Sequence, residues 1–345
     1  MPEGHSIHRL ALVLGELFAG QIVRASSPQG RFTAGADILD GSLILPAQAW
    51  GKHLFVPFVV GGQNAGAGSG RAGEHATQLP DAALDPDLLW LHVHLGLYGR
   101  WVFNGDAAFL SSRLLGAPHI LIGEEATELR AAAPTAIHVT GPATTRASGP
   151  GNHDVEAWRP PAPRGAVRLR LLTEHGSADL SGPNQCAIKT GDEVAAVVGR
   201  LGPDPLRNAP GDRERFIELV RARRSPVGAL VMNQSVAAGP GNIYRAESLF
   251  RAGIHPYRVG ARVGVGRLAD LWDDLVSLMG DGLTRGTIRT ISPELAPAEP
   301  LPGDPEASRF AVYHRQGRTC LRCGATVREA EMQGRRLFWC PGCQH

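Results

Sequence analysis

The chain has 345 residues and a mass of 36.6 kDa, with 43% hydrophobic residues, 20% charged residues and a formal net charge of +2. That is too apolar for a wholly disordered protein, and 43 Gly and 26 Pro, about a fifth of the chain, argue against a single compact domain. No apolar run approaches the roughly 18 residues of a transmembrane helix. The start, MPEGHSIHRL, lacks a basic-then-apolar signal, so a cytoplasmic protein with no membrane partner is expected. Five cysteines, four of them in the last 26 residues, exclude a secreted disulfide scaffold.

Charge is unevenly spread. Residues 207–258 hold nine Arg against four acids, and 309–345 hold seven Arg against two. Basic charge concentrated in the C-terminal half fits either phosphate binding or a solvated basic surface. Of the 35 basic residues only two are lysines, Lys52 and Lys189, so a lysine at a mechanistic position does not reflect composition alone.

In chain order, Ile7, Leu10, Ala11, Leu14, Leu17 and Phe18 recur at helical spacing and Gly20 follows, which predicts a helix over 6–19. Short strand-like runs come next at 21–26, 42–45, 53–60, 88–95, 98–104 and 166–173, separated by turn residues, and predict an antiparallel sandwich or barrel. Segment 61–73 is low in complexity and reads as a flexible loop. Segment 105–164 reads as an extended insertion with one candidate strand at 119–122. From Thr190 the period turns helical: Thr190 and Glu193 form a capping-box pattern, and helices are expected over 213–224, 227–234 and 243–252. A further one is expected around Leu268–Met279. Ser225 and Pro226 are the expected N-cap and first-turn proline of the second of these.

Cys320-x2-Cys323, sixteen residues, then Cys340-x2-Cys343 has the spacing of a four-thiolate zinc ribbon. Two CxxC knuckles supply one tetrahedral Zn2+, the residues between can form a hairpin, and filled coordination makes the ion structural. Cys186 reads as a small core residue.

Removal of Met1 would leave Pro2 as a free secondary amine beside Glu3. Such an amine can attack a carbonyl-like carbon and form an iminium; taken alone, Pro2 is an ordinary N-terminal proline. Further motifs accompany it in order. They are Pro2-Glu3-Gly4, Gly51-Lys52-His53-Leu54, His94-Leu95-Gly96-Leu97-Tyr98-Gly99, Arg200-Leu201-Gly202-Pro203-Asp204, Ala238-Gly239-Pro240-Gly241-Asn242-Ile243-Tyr244-Arg245, and the four-cysteine tail ending Phe338-Trp339-Cys340-Pro341-Gly342-Cys343-Gln344-His345. Together they resemble the formamidopyrimidine-DNA glycosylase/endonuclease VIII family, and within it the endonuclease VIII branch in its actinobacterial form.

The resemblance implies an α+β multidomain protein. Residues 1–189 would form a catalytic β-sandwich domain with insertions near 61–87 and 105–164. Residues 190–308 would form a helix-two-turns-helix domain, and 309–345 a zinc finger, with damaged DNA across the cleft. The implied activity is that of a bifunctional DNA glycosylase and abasic-site lyase of base excision repair, working as a monomer on oxidised bases, pyrimidines favoured. Pro2 would be the nucleophile and Glu3 the proton donor. Lys52 would contact phosphate and assist β-elimination, and Arg335, with Arg336 adjacent, would serve δ-elimination. Asn242 at a helix start and Arg200 would contact DNA, although Arg200 also reads as a solvated helix-end residue. Leu97 and Tyr98, which taken alone read as core, would fill the space left by the flipped nucleotide.

Two departures stand out. Gly96 replaces a glutamine of endonuclease VIII, and His5-Ser6 replaces a Pro-Glu pair, so a second carboxylate is missing near Pro2. His5 and His8 read as surface or structural residues, with DNA contact as the other option. His92 and His94 are assigned no metal. Two other functions stay open: the same chemistry on oxidised purines, and a catalytically silent zinc-finger DNA-binding protein, against which Pro2, Glu3 and Lys52 together argue.

Overall fold

A computed structural model of the chain describes residues 2–61, 88–110, 158–299 and 301–345. The low-complexity loop and the candidate strand at 119–122 lie outside the described residues. Two compact units form: residues 9–49 with 53–195, and residues 2–8 and 50–52 with 196–345. Among the described residues no helix is long and apolar enough to cross a membrane.

The first unit is built on antiparallel strands, as expected. They are β1 (Ile22–Ser26), β2 (Ser42–Ile44), β3 (Gln48–Trp50), β4 (His53–Val59), β5 (Leu89–His94), β6 (Arg100–Gly105), β7 (Val167–Leu172), β8 (Gly176–Ser181) and β9 (Gln185–Thr190). Their order is β6-β8-β7-β1-β2-β4-β5-β9, with β3 on β4. Strand β1 changes partner midway: Ile22 and Val23 pair with β2, and Arg24–Ser26 pair with β7. One strand thus serves two sheets, the usual way a β-layer turns a corner. Strands β4 and β5 are buried at every interior position, which explains their near-continuous apolar sequence, whereas β6 alternates. Helix α1 (Gly4–Phe18) buries all six residues of its apolar stripe and is followed by Gly20 at φ +80°. The helix α2 (Thr33–Leu39) and strands β3, β8 and β9 were not anticipated. Strand β8 reads Gly-Ser-Ala-Asp-Leu-Ser because Asp179, buried, accepts two bonds at 2.6 Å from Arg170 directly across on β7. Pairing removes the burial cost that makes such a run look like a loop. A one-turn helix, α3, spans Ala107–Leu110.

In the first unit, α4 (Gly191–Val198) opens on the expected capping box: the Thr190 N–H donates to Glu193 at 3.0 Å, and the Glu193 N–H to the Thr190 hydroxyl at 3.4 Å. The second unit then contains α5 (Asp212–Arg221), α6 (Val227–Met232), α7 (Asn242–Arg251) and α8 (Val265–Arg285). The residue flanking α6 is Pro226, extended and without a side-chain cap, so Ser225 does not cap this helix as expected. Helix α8 is one continuous run of 21 residues that ends on Gly286 at φ +73°, whose N–H bonds back to the Gly282 carbonyl.

Asn242 through Phe250 of α7 are all buried, so its polar side chains must find partners inside. Glu247 accepts from the N–H groups of Ala311, Val312 and Tyr313 at 2.8 Å each and from the Thr290 hydroxyl at 2.7 Å. That carboxylate ties α7 to the segment entering the cysteine-rich tail. The tail forms the hairpin β10 (Arg328–Met332) and β11 (Arg335–Trp339), joined by Gln333 and Gly334, both at positive φ. Phe310, Val312, Tyr313, Phe338 and Cys340 share one apolar core with Phe216, Tyr244, Phe250 and Trp272, so the tail and the helices are a single packed body.

Candidate active site

The start of α7 is the focus. Gly239, at φ +106°, accepts a bond from the Gly4 N–H at 2.9 Å. A Cβ at Gly4 would lie 2.8 Å from the Gly239 Cα, and one at Gly51, where φ is +58°, would lie 2.9 Å from the Ala238 Cβ. Three backbones therefore approach at positions where only glycine fits. Through them the segments that carry Pro2 and Glu3, Lys52, and Asn242 are brought together.

Glu3 is buried, and its carboxylate sits on the first turn of α7. It accepts from the Gly241 N–H (Oε2) and the Ile243 N–H (Oε1), both at 2.9 Å. A helix start favours an anion there. Burial nevertheless pushes the carboxyl above the usual carboxylate range, outweighing the Lys52 charge and the two backbone donors. The result is a carboxyl that keeps a proton more readily than an exposed one. Pro2, beside it, is buried too. Ser6, where the second carboxylate is missing, donates its hydroxyl to the Glu3 carbonyl at 2.8 Å, and His5 packs edge-on to the Tyr244 ring at 5.6 Å. His5 is thus part of the core.

The open helix start expected at Asn242 is occupied by Glu3, and Asn242 is itself buried, with its amide oxygen accepting from Arg245. Arg245 was not anticipated. It is fully buried, and its Nη2 also donates to the Arg336 carbonyl at 2.9 Å. Desolvation lowers its pKa to about 10, with the Glu3 charge opposing and the Arg335 charge adding to the drop. Arg335 follows the hairpin turn and acts on this cluster, whereas the exposed Arg336 guanidinium pairs with Glu329 across the hairpin. Arg200 is exposed just beyond α4.

The four cysteines lie with all sulfurs within 4.8 Å of one another, Cys320 to Cys343 at 3.9 Å and Cys323 to Cys340 at 3.4 Å. Disulfide sulfurs would stand about 2.05 Å apart, while thiolates about 2.3 Å from one zinc give separations of this size. The quartet fits a metal ion such as zinc. Among the described residues it is the one such group, and His92 and His94 join none.

In the first unit, Leu97 and Tyr98 occupy the turn between β5 and β6 and are 48% and 76% exposed, so they are not core. Gly96, at φ +67°, would put a Cβ 2.7 Å from the Asn184 Cβ, which explains why no side chain stands there.

Residues 201–292 match the family described as "Formamidopyrimidine-DNA glycosylase H2TH domain", which defines the helical part as a helix-two-turns-helix module. The chain is 38% identical over 346 residues to "Endonuclease 8 1" of Mycobacterium tuberculosis, covering 100% of both. It is 38% identical over 154 residues to "Formamidopyrimidine-DNA glycosylase" of Alkalilimnicola ehrlichii, covering 44% of this chain and 53% of that one. A solved complex of the Lactococcus lactis Fpg with DNA containing an abasic site has the same fold, at TM-score 0.64 and 18% identity over 99% of each chain. The chain belongs to the formamidopyrimidine-DNA glycosylase/endonuclease VIII family of DNA-repair proteins.

Proposed function

We propose that this protein is a bifunctional DNA glycosylase and abasic-site lyase that removes oxidised bases, pyrimidines favoured, from damaged DNA. The observation that carries the reading is the Glu3 carboxyl, buried beside Pro2 and held proton-rich on the start of α7. With Met1 removed, the Pro2 nitrogen attacks C1′ of the damaged nucleotide as the bond to the base breaks, and Glu3 supplies a proton to the opening sugar. The resulting iminium acidifies the C2′ proton. Its loss expels the 3′ phosphate by β-elimination, and a second elimination expels the 5′ phosphate. Lys52, whose charge acts on Glu3, serves the first elimination, and Arg335 the second.

Asn242, Arg200 and the basic C-terminal half hold the phosphate backbone, while Leu97 and Tyr98, exposed on their turn, enter the duplex. Cys320, Cys323, Cys340 and Cys343 would hold one structural Zn2+, which supplies rigidity to the hairpin bearing Arg335. The full-length match to an endonuclease 8 supports the endonuclease VIII branch and hence the pyrimidine preference. We place the protein in the cytoplasm as a monomer.

Borohydride trapping on duplexes carrying an abasic site, an oxidised pyrimidine or an oxidised purine tests this. The expected result is a covalent adduct through Pro2 on the first two and less on the third. Absence of an adduct from protein shown by mass spectrometry to lack Met1 overturns the mechanism.

A further inference from the structure

Asp204 is fully buried, yet no step above uses it. Its Oδ1 accepts from the Leu206 N–H at 2.9 Å, and its carbonyl accepts from the N–H groups of Arg207 and Asn208. Those bonds suffice for a local turn. Its Oδ2 does something else: it accepts from the Gly51 N–H at 2.7 Å and bonds the His8 Nε2 at 2.8 Å. These partners are 153 and 196 residues away in sequence. One precedes Lys52, and the other lies one turn along α1 from Gly4, the residue after Glu3.

Neighbouring contacts act in the same direction. The Trp50 indole N–H donates to the Gly202 carbonyl at 3.4 Å, and the Arg207 guanidinium lies 4.5 Å from the centre of the Trp50 ring. Residues 202–207 thus hold the 50–52 loop at three points. They are themselves tied to the approach of α7, by the Gly202 N–H on the Gln234 carbonyl and the Ala238 N–H on the Pro203 carbonyl.

We infer that Asp204 is a positioning residue for the elimination step: by sharing one carboxylate oxygen between Gly51 and His8, it sets the distance from Lys52 to the helix turn that carries Pro2 and Glu3. The inference rests on the role proposed above for Lys52. A charged acceptor in a dry site makes strong bonds, and displacing a reacting group by about 1 Å costs on the order of 100-fold in rate.

The test is single-turnover strand cleavage at a preformed abasic site, with binding to duplex carrying a non-cleavable abasic analogue and thermal unfolding measured alongside. Asp204→Asn should slow elimination about 10- to 100-fold while affinity changes by no more than about twofold. On a Lys52→Met background the same substitution should add no more than about twofold. An unchanged elimination rate, or the full penalty persisting without Lys52, overturns the proposal. His8→Ala should also slow elimination and His8→Gln, which keeps an N–H donor, should restore it. If Asp204→Asn does not fold, this pair decides: His8→Ala at the wild-type rate overturns the inference. Failure of the underlying reading looks different, because wild-type protein would then give no trapped adduct.

Discussion

The carboxylate of Glu3 accepts the backbone N–H of Ile243 at 2.9 Å across 240 residues of sequence. A helix start that sequence motifs reserve for phosphate is thereby filled by the protein's own acid. The carboxyl is stabilised as an anion by that helix and as an acid by burial, and burial prevails. The candidate general acid and the first turn of α7 are thus one structural unit.

Base release should therefore depend on pH with a defined sign. A carboxyl whose pKa lies above its ordinary value keeps its proton at lower pH and loses it as pH rises through the raised pKa. Single-turnover excision should fall along that limb. Glu3→Gln should remove the limb and slow excision by about 100-fold or more. A wild-type excision profile with no dependence on ionisation of Glu3 would remove it from the role of proton donor.

Close backbone approach at Gly51 predicts a stability effect. Gly51→Ala places a Cβ 2.9 Å from the Ala238 Cβ at a φ of +58°. It should destabilise the protein by about 2 kcal/mol or more in urea denaturation and slow strand cleavage, since Lys52 is the next residue.

Metal removal should act on the hairpin. Cys320→Ser, or treatment with a strong chelator, should lower zinc from about one per chain toward zero by atomic absorption. It should also weaken DNA binding measured by fluorescence anisotropy. Full metal content and affinity in Cys320→Ser would refute a structural site.

The turn carrying Leu97 and Tyr98 should separate stability from function. Replacing both exposed residues with Ala should change stability by no more than about 0.5 kcal/mol. Excision from duplex DNA should fall roughly tenfold or more, because unstacking costs a few kcal/mol, and excision from single strands should fall less. Gly96→Gln is expected to destabilise the turn, given its φ of +67° and the nearby Asn184.

Much of this protein is legible in its sequence wherever the determining interactions are local. The capping box of Thr190 and Glu193 closes within one helical turn, and the stripes of α1 and α8 follow from a 3.6-residue period. The two CxxC spacings mark the metal site in the sequence, and the fold then joins the knuckles, Cys320 to Cys343 at 3.9 Å and Cys323 to Cys340 at 3.4 Å. Strand β8 was missed because the charge on Asp179 is neutralised by a partner nine residues away on another strand. No periodicity records that pairing.

The residue types of the site were likewise set by sequence alone: Pro2, Glu3, Lys52, Asn242, Arg335 and the four cysteines stand in motifs whose order marks the family. Tertiary structure alone decided what holds the second unit's parts in register. Gly4, Gly51 and Gly239 meet only because three distant segments pack without side chains between them, and Asp204 finds Gly51 and His8 only after those segments have met. Such contacts depend on distance in space, and their energy leaves no pattern along the chain.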